Sequence, residues 1–323
     1  MSNNAELVLL DKAAVETLLR PDDVLQAVRE AFELHSRGEG RVFPVVRESL
    51  STGGVFGIKS GDVPAQRLLG FKAAGFWPGN RALGGEPHQA TVVLIDPASG
   101  RPTCLMDGNA ITTQRTGAAG GLGLQQLARP GSRRVCVFGT GVQARVQLDF
   151  ALRLMPSLRE VAYVAHRGKR DADFEGLFAK RCAIHHIDDS NAAVAGSDVV
   201  ITATPGKEAL FDIDAVQPGT HLNCVGTDTA GKRELPDGLL SRVRLFVDDA
   251  GQARRIGELQ WAPETPCTEL GDLLTGRSRF ERSDAEITVF DMTGLALQDL
   301  TVARMLFQRA GEAGIGTRIP WPW

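Results

Sequence analysis

The sequence predicts an α/β protein in which a doubly wound parallel sheet follows a sheet-rich first domain. From residue 134 onward, short apolar runs alternate with helical stretches, which is the rhythm of successive βαβ units. Before that point, residues 42–107 are mostly β-rich, and Pro-Ala-Ser-Gly at 97–100 is a turn between two predicted strands. A chain of 323 residues also exceeds one small core, so two domains are expected.

The predicted elements follow in chain order. Residues 9–36 have helical periodicity, with Asp22-Asp23 as the expected cap. Helices are also predicted over 110–128 and over 300–313, the latter packing back on the first domain. Strands are predicted over 42–50, 55–59, 68–77, 90–96, 103–107, 134–138, 161–165, 183–187, 198–203, 220–225 and 244–248. The resulting domains are 1–122 with a C-terminal helix 302–323, and 123–301.

Composition excludes several classes of function. The net charge is −3 with acids and bases mixed, so no nucleic-acid or membrane partner is expected. No apolar run reaches the roughly 18 residues that span a bilayer, and the N-terminus lacks the pattern of a signal peptide. The five cysteines are widely spaced and neither they nor the histidines show metal-ligand spacing. We expect a cytoplasmic protein with reduced cysteines and no metal.

One segment, residues 134–144, carries the most specific signal. An apolar run is followed at once by Gly139 and Gly141, with Ala144 in the third place of the G-x-G-x-x-G/A pattern, and a helical pattern then begins. The first glycine permits the tight turn, the second lets a pyrophosphate approach the backbone, and Ala144 allows close helix–strand packing. With Val142 and Gln143, these residues predict a dinucleotide site on a Rossmann-type domain; the alternative is an ordinary glycine turn.

Five segments together resemble the ornithine cyclodeaminase/μ-crystallin family. They run in order over most of the chain and are Phe71–Asn80, Asp107–Ala118, Gly139–Ala144, Pro218–Asp228 and Phe290–Asp299. The resemblance implies a homodimer joined through its N-terminal sheets, a substrate cleft between two domains, and NAD(P) bound to the second. Family members include ornithine cyclodeaminase, ketimine and cyclic-imine reductases, an alanine dehydrogenase and iminosuccinate reductase. Most of them act on an α-amino or α-imino carboxylate.

The family pattern places three cations near the substrate: Arg47, Lys72 and Arg115. Arginine binds a carboxylate through two parallel hydrogen bonds, and lysine supplies a compact charge. Lys72 is also the candidate proton donor or acceptor, because burial beside arginines would bring its pKa toward the working pH. The family places Arg115 near the cofactor phosphates as well. A solvent-facing Lys72 is the alternative.

Other expected site residues lie in the second domain. Asp228 follows a predicted strand end, where ligands bind in open α/β sheets. The resemblance implies that it assists proton transfer or holds the substrate amino group; the alternative is a cap of the following turn. The remaining residues expected near the cofactor are Val225, Gly226, Thr227, Lys232 and Gly294.

The departures from the cyclodeaminase pattern concern the substrate. Gly57 stands where the cyclodeaminase has a glutamate for the ornithine amine, and Lys59 stands where methionine is usual. If 55–59 and 68–75 pair about the turn at 64–66, Lys59 lies opposite Lys72, and an anion between them would relieve the repulsion. The alternative is a solvent-facing Lys59. Losing an acid and gaining a base favours a dicarboxylate, and within the family the chain most resembles iminosuccinate reductase, which gives aspartate.

The choice of cofactor rests on two opposed signals. The second strand of the dinucleotide domain ends in His166-Arg167 rather than in the acid that binds a ribose 2′-hydroxyl, which favours NADP. The resemblance to iminosuccinate reductase favours NADH, so we expect NAD(H), with NADP(H) left open. An ornithine cyclodeaminase that recycles NAD+ and a non-enzymatic μ-crystallin-like binding protein are the rival functions.

Overall fold

The computed structural model describes residues 5–321, which divide into two compact units. The first unit comprises the chain up to Arg115 together with the chain from Leu295 onward, and the second runs from Thr116 to Gly294. The sequence places the boundaries at 122/123 and 301/302 instead. Both of those positions lie inside helices of the structure, Asn109–Leu127 and Ala296–Ala313.

The strands and helices are as follows. The strands are β1 Glu6–Leu10, β2 Arg41–Val42, β3 Val46–Ser49, β4 Val55–Val63, β5 Leu68–Phe76, β6 His88–Ile95, β7 Pro102–Asp107, β8 Arg134–Phe138, β9 Glu160–Val164, β10 Ala183–His186, β11 Val199–Thr202, β12 His221–Cys224, β13 Arg244–Val247, β14 Cys267–Glu269, β15 Thr288–Asp291 and β16 Thr317–Pro320. The helices are α1 Lys12–Leu18, α2 Pro21–Ser36, α3 Asn109–Leu127, α4 Val142–Leu154, α5 Ala172–Phe178, α6 Ser190–Ala195, α7 Ala250–Ile256, α8 Leu270–Leu274 and α9 Ala296–Ala313. None of the helices within residues 5–321 is long and apolar enough to cross a membrane.

The first unit is built on an eight-stranded mixed sheet. Its order is β16-β1-β7-β6-β5-β4-β2, with β3 also paired to β4. The predicted β6–β7 hairpin is confirmed, and so is the β4–β5 hairpin, although β4 continues past residue 59 to Val63. The expected strand over 42–50 is instead two short strands, β2 and β3. The interruption between them contains Pro44, which has no backbone N–H to donate to a sheet.

Helix α9 packs on β4 and β5 through two glycines that face each other across the hairpin. Gly61 and Gly70 are direct partners, and a methyl group on either would lie within 3.5 Å of the side chain of Leu297 or Leu300. Because these positions carry no side chain, α9 can lie close against the sheet. This close packing brings the N-terminal turns of α9 to the same face as Lys72.

The second unit is a parallel sheet with helices, as predicted. Its order is β10-β9-β8-β11-β12-β15-β13-β14, and every described pairing in it is parallel. Apolar side chains cover both faces in two core clusters. The second half of α3 packs on α4 through Gly117, Gly120 and Gly121, where added methyl groups would collide with Val146, Gln147, Phe150 and Leu154.

Two predictions about elements are wrong. The stretch 9–36 is not one helix, because β1 runs to Leu10, Asp11 caps α1 through the amide of Ala14, and Pro21 starts α2 as its first residue. Asp22 and Asp23 therefore lie in the first turn of α2 and are not its cap. The sequence also missed β1, β14, β15 and β16, although β15 lies in the interior of the second sheet.

Candidate functional site

Three of the expected substrate-binding cations lie on one face of the first sheet. Lys59 and Lys72 are direct partners in the β4–β5 ladder, which confirms the predicted pairing. Arg47 on β3 is the direct partner of Gly57, two residues before Lys59. Since directly paired residues share a face and residues two apart on a strand share a face, the side chains of Arg47, Lys59 and Lys72 emerge on the same side.

Gly57 lies too close to the backbone of β3 to carry a side chain in this pairing. A methyl group at Gly57 would lie 3.8 Å from the Arg47 Cδ and only 2.8 Å from the carbonyl oxygen of Val46. The second distance is shorter than real contacts allow, and its partner is backbone, which cannot swing aside. A glutamate at this position would therefore require the β3–β4 pairing to shift.

Lys72 is buried, with only 4% of its surface exposed, and its ammonium group binds two side chains. Its Nζ donates to Asp299 at 2.9 Å and to the Thr112 hydroxyl at 3.2 Å. Burial lowers the pKa of Lys72 to about 7; Asp299 acts against that shift, while Arg115 and Lys59 add to it. A lysine with this pKa can gain and lose a proton near neutral pH.

Arg115 reaches the same cluster from α3. Its Nε donates to Asp299 Oδ1 at 3.0 Å, and its Nη1 donates to Gln298 Oε1 at 3.0 Å. Burial alone would raise the pKa of Asp299, but the charges of Arg115 and Lys72 outweigh it and hold that pKa below its usual range. The carboxylate is thus ionised and bound to both cations.

Gln298 and Asp299 are site residues that the sequence reasoning missed. In the sequence they lie within Phe290–Asp299, a segment that only the family resemblance distinguishes. Asp299 also changes the argument about the lysine pair, because an anion of the chain itself already binds Lys72. The signal that could have found it is an aspartate one turn into a helix that is otherwise apolar on the face toward the sheet.

In the second unit the glycine turn has the geometry that the motif requires. Gly139 has φ +95, and a methyl group there would lie 2.9 Å from the carbonyl oxygen of Ala203, so only glycine fits. Gly141 precedes α4 as its N-cap, and a methyl group there would meet nothing within 4 Å. Ala144 is fully buried against the sheet. The turn therefore leaves open space in front of the first amides of α4, those of Val142 and Gln143.

Hydrogen bonds from α4 and from the connection between β9 and α5 hold this turn in place. The Thr140 hydroxyl hydrogen-bonds the carboxylate of Asp171, which also caps α5 through the amide of Phe174. Arg145 Nε donates to the Thr140 carbonyl oxygen at 2.9 Å. His166 is exposed just beyond β9, while the side chain of Arg167 lies outside the described part of the structure.

The segment after β12 is held by two buried glutamates. Glu234 accepts hydrogen bonds from the Gly226 amide at 2.9 Å and from the Thr204 amide at 2.7 Å, and Glu258 accepts one from the Thr227 hydroxyl. Burial raises the pKa of both carboxyls, that of Glu258 to about 7. The sequence predicts Val225, Gly226 and Thr227 near the cofactor but does not show the acids that hold Gly226 and Thr227.

Asp228 and Lys232 form an ion pair with a distance of 2.7 Å between Lys232 Nζ and Asp228 Oδ1. The same ammonium donates to the Gly226 carbonyl oxygen at 3.1 Å. Beyond β15, Gly294 has φ +83; its amide bonds Asp248, and its carbonyl accepts from Gln252 at 2.9 Å. Because all strands of this sheet are parallel, these segments and the glycine turn follow strand ends at one edge of the sheet.

Comparison with known proteins assigns the family. The model of the ornithine cyclodeaminase/mu-crystallin family matches residues 5–314. The chain belongs to this family. It is 32% identical to the alanine dehydrogenase of Archaeoglobus fulgidus over 97% of this chain and 98% of that protein. It is also 32% identical to the iminosuccinate reductase of Paracoccus denitrificans, over 97% of this chain and 99% of the relative.

Solved structures agree on the fold along the whole chain. An archaeal alanine dehydrogenase dimer with bound NAD superposes with a TM-score of 0.91 at 31% identity, covering 98% of this chain and 100% of the other. The iminosuccinate reductase of Paracoccus denitrificans in complex with NAD+ gives 0.89 at 30% identity, covering 97% and 99%. The Δ1-pyrroline-2-carboxylate reductase of Thermococcus litoralis, in complex with NADH and L-proline, gives 0.90 at 26% identity, covering 97% and 100%. The predicted Rossmann-type α/β fold is therefore confirmed.

Proposed function

We propose that this protein is an NAD(H)-dependent imine reductase whose substrate is an α-imino dicarboxylate, iminosuccinate being the best candidate, with L-aspartate as product. The observation that carries the proposal is the shared face of Arg47, Lys59 and Lys72 beside Gly57. Two carboxylates need more cationic donors than one does, and this face has lysine and glycine where a diamine substrate would need an acid.

The glycine turn is suited to hold the cofactor. Open space at Gly141 and the first amides of α4 fit a pyrophosphate, whose charge the helix N-terminus favours. We infer NAD(H) because three similar enzymes were solved with NAD or NADH bound. The absence of an acid at the end of β9 keeps NADP(H) as the alternative to test.

We assign separate roles in the reaction to the residues of the protein. When bound, the nicotinamide supplies the hydride for the C=N carbon. Arg47, Lys59 and Arg115 bind and orient the two carboxylates. Lys72 holds a proton on Nζ for the imine nitrogen, and in the reverse direction its neutral amine accepts that proton. Asp228, paired with Lys232, is proposed to receive the amino group of the product.

The test is a matrix of cofactors and oxo acids with ammonia. Oxaloacetate with ammonia and NADH should give the highest kcat/KM, above pyruvate, glyoxylate and cyclic imines, and NADPH should be poorer. Higher activity with pyruvate would make the protein an alanine dehydrogenase in function. Release of ammonia from ornithine without added reductant would instead support a cyclodeaminase.

A lysine variant separates the substrate class from the reaction type. Lys59→Met should raise KM for the dicarboxylate imine about tenfold, the effect of losing one charge-assisted contact, and leave the pyruvate-derived imine nearly unchanged. Lys180→Met removes an exposed lysine of the second unit and serves as the matched control. Equal effects of Lys59→Met on both substrates would rule out a role of Lys59 in selecting the second carboxylate.

A further inference from the structure

Asp299 is a buried carboxylate of the first unit that no part of the proposed reaction uses directly. Its side chain is 1% exposed and lies near the N-terminus of α9. One carboxylate binds two cations that come from different elements, Lys72 of β5 and Arg115 of α3. A buried aspartate among apolar neighbours is costly unless it is paired in this way, so its position needs an explanation beyond packing.

The place of Asp299 is set by backbone geometry. Gly61 and Gly70 let α9 lie close to the β4–β5 hairpin, and the next residue of β5 on the same face is Lys72. Gln298, the neighbour of Asp299, accepts from Arg115 Nη1 and from the Leu295 amide, which caps the first turn of α9. One helical turn thus fixes both a lysine and an arginine.

We propose that Asp299 is a positioning residue that holds the Lys72 ammonium and the Arg115 guanidinium side by side and keeps the proton on Lys72 until the substrate arrives. The inference rests on the proposed role of Lys72 in proton transfer. It adds that Lys72 is kept protonated by a residue of α9 and not by the sheet to which Lys72 belongs.

The charges around Lys72 give the direction of the effect. Lys59 faces it from β4 and Arg115 from α3, both of which oppose its protonation, while the β6 partner is the apolar Val92. Asp299 from α9 is the carboxylate that favours protonation. Without it, burial and two neighbouring cations would leave Lys72 largely neutral at pH 7.

The experiment reads the charge of Lys72 directly in the protein without substrate. The chain has seven lysines, so the spectrum of protein labelled with ¹³Cε-lysine is simple, and Lys72→Arg assigns the Lys72 signal by its loss. In Asp299→Asn, which keeps the size of the side chain, the Lys72 titration midpoint should fall by about one pH unit or more. Asp299→Glu, which keeps the charge, should stay closer to the wild type. Asp96→Asn changes a half-buried carboxylate of the β6–β7 turn, paired with Arg67, and should leave the Lys72 midpoint unchanged.

The pH dependence of activity is a second readout, and a purely structural role of Asp299 would not change it. In Asp299→Asn, the loss of imine reduction should shrink as the pH is lowered, because acid restores the proton on Lys72. A loss equal at every pH, or an unchanged Lys72 midpoint, would overturn the inference. If Asp299→Asn does not fold, Arg115→Met decides, because removing that cation should raise the Lys72 midpoint, and an unchanged midpoint would refute the coupling.

Failure of the proposed function and failure of the proposed role of Asp299 can be distinguished. The titration of Lys72 needs no substrate, so it can support the role of Asp299 even if the protein reduces no dicarboxylate imine. Conversely, a reductase active on iminosuccinate whose Lys72 titrates identically with and without Asp299 would keep the proposed function and lose this inference.

Discussion

The two units carry candidate sites that are built on opposite principles. The dinucleotide turn of the second unit is made of backbone: Gly139, Gly141 and the start of α4 are contiguous, and their geometry follows from local sequence. The cluster of the first unit is made of side chains from separate elements, and Lys72 and Asp299 are 227 residues apart in the chain. The first kind of site should respond to changes in shape and the second to changes in charge and pH.

The largest effect is expected from Lys72→Ala, which tests whether the side-chain cluster carries the chemistry. Losing a positioned proton donor should lower kcat about 10²–10⁴-fold. The affinity for NADH should change little, since the proposed cofactor contacts of the turn are backbone. Stopped-flow binding of NADH and steady-state kinetics check both parts. Turnover near the wild-type level would remove Lys72 from the mechanism.

The next prediction concerns the pH dependence of stability. It tests whether the second unit also responds to charge, because that unit buries acidic side chains too. Glu258 titrates at about 7 in the folded protein instead of about 4.5, so the folded state holds its proton more tightly than the unfolded chain does. Its contribution to the free energy of unfolding is complete below about pH 4.5 and is lost as the pH rises through about 7. Glu258→Gln should therefore reduce the fall in stability over this range, by up to about 3 kcal/mol.

Denaturant titrations at several pH values measure this difference. Glu264→Gln changes an exposed carboxylate of the same unit and is the matched control, with no change expected. An equal pH dependence in wild type and Glu258→Gln would mean that Glu258 ionises normally in the fold.

The smallest effects separate two glycines of the turn. Gly139→Ala should lower the free energy of unfolding by about 1–3 kcal/mol, because φ +95 and the nearby Ala203 carbonyl both exclude a side chain. Gly141→Ala should leave stability nearly unchanged, since its methyl group meets no protein atom, yet raise the Kd for NADH about tenfold, a cost of about 1.4 kcal/mol. Thermal unfolding and NADH titration distinguish the two; loss of stability in Gly141→Ala would contradict the open space at that residue.

The sequence by itself determined whatever depends on neighbouring residues. The turn at 139–144, the alternation of strands and helices after residue 134 and the β4–β5 pairing all follow from local pattern and turn chemistry. It failed over 9–36, where periodicity outweighed the local stop signals Asp11 and Pro21. The resemblance named Lys72 and Arg115, but neither motif nor spacing said what they bind.

Only the tertiary structure decided how the charges are balanced. The anion beside Lys72 is Asp299, brought there because Gly61 and Gly70 let α9 approach the hairpin. The acids that hold the segment after β12 come from residues 234 and 258. A buried charge is stable only when long-range packing supplies its partner, and packing between distant segments leaves no periodic trace in the sequence. For this reason the glycine turn could be predicted from the sequence, whereas the pairing of Lys72 and Arg115 with Asp299 in the first unit could not.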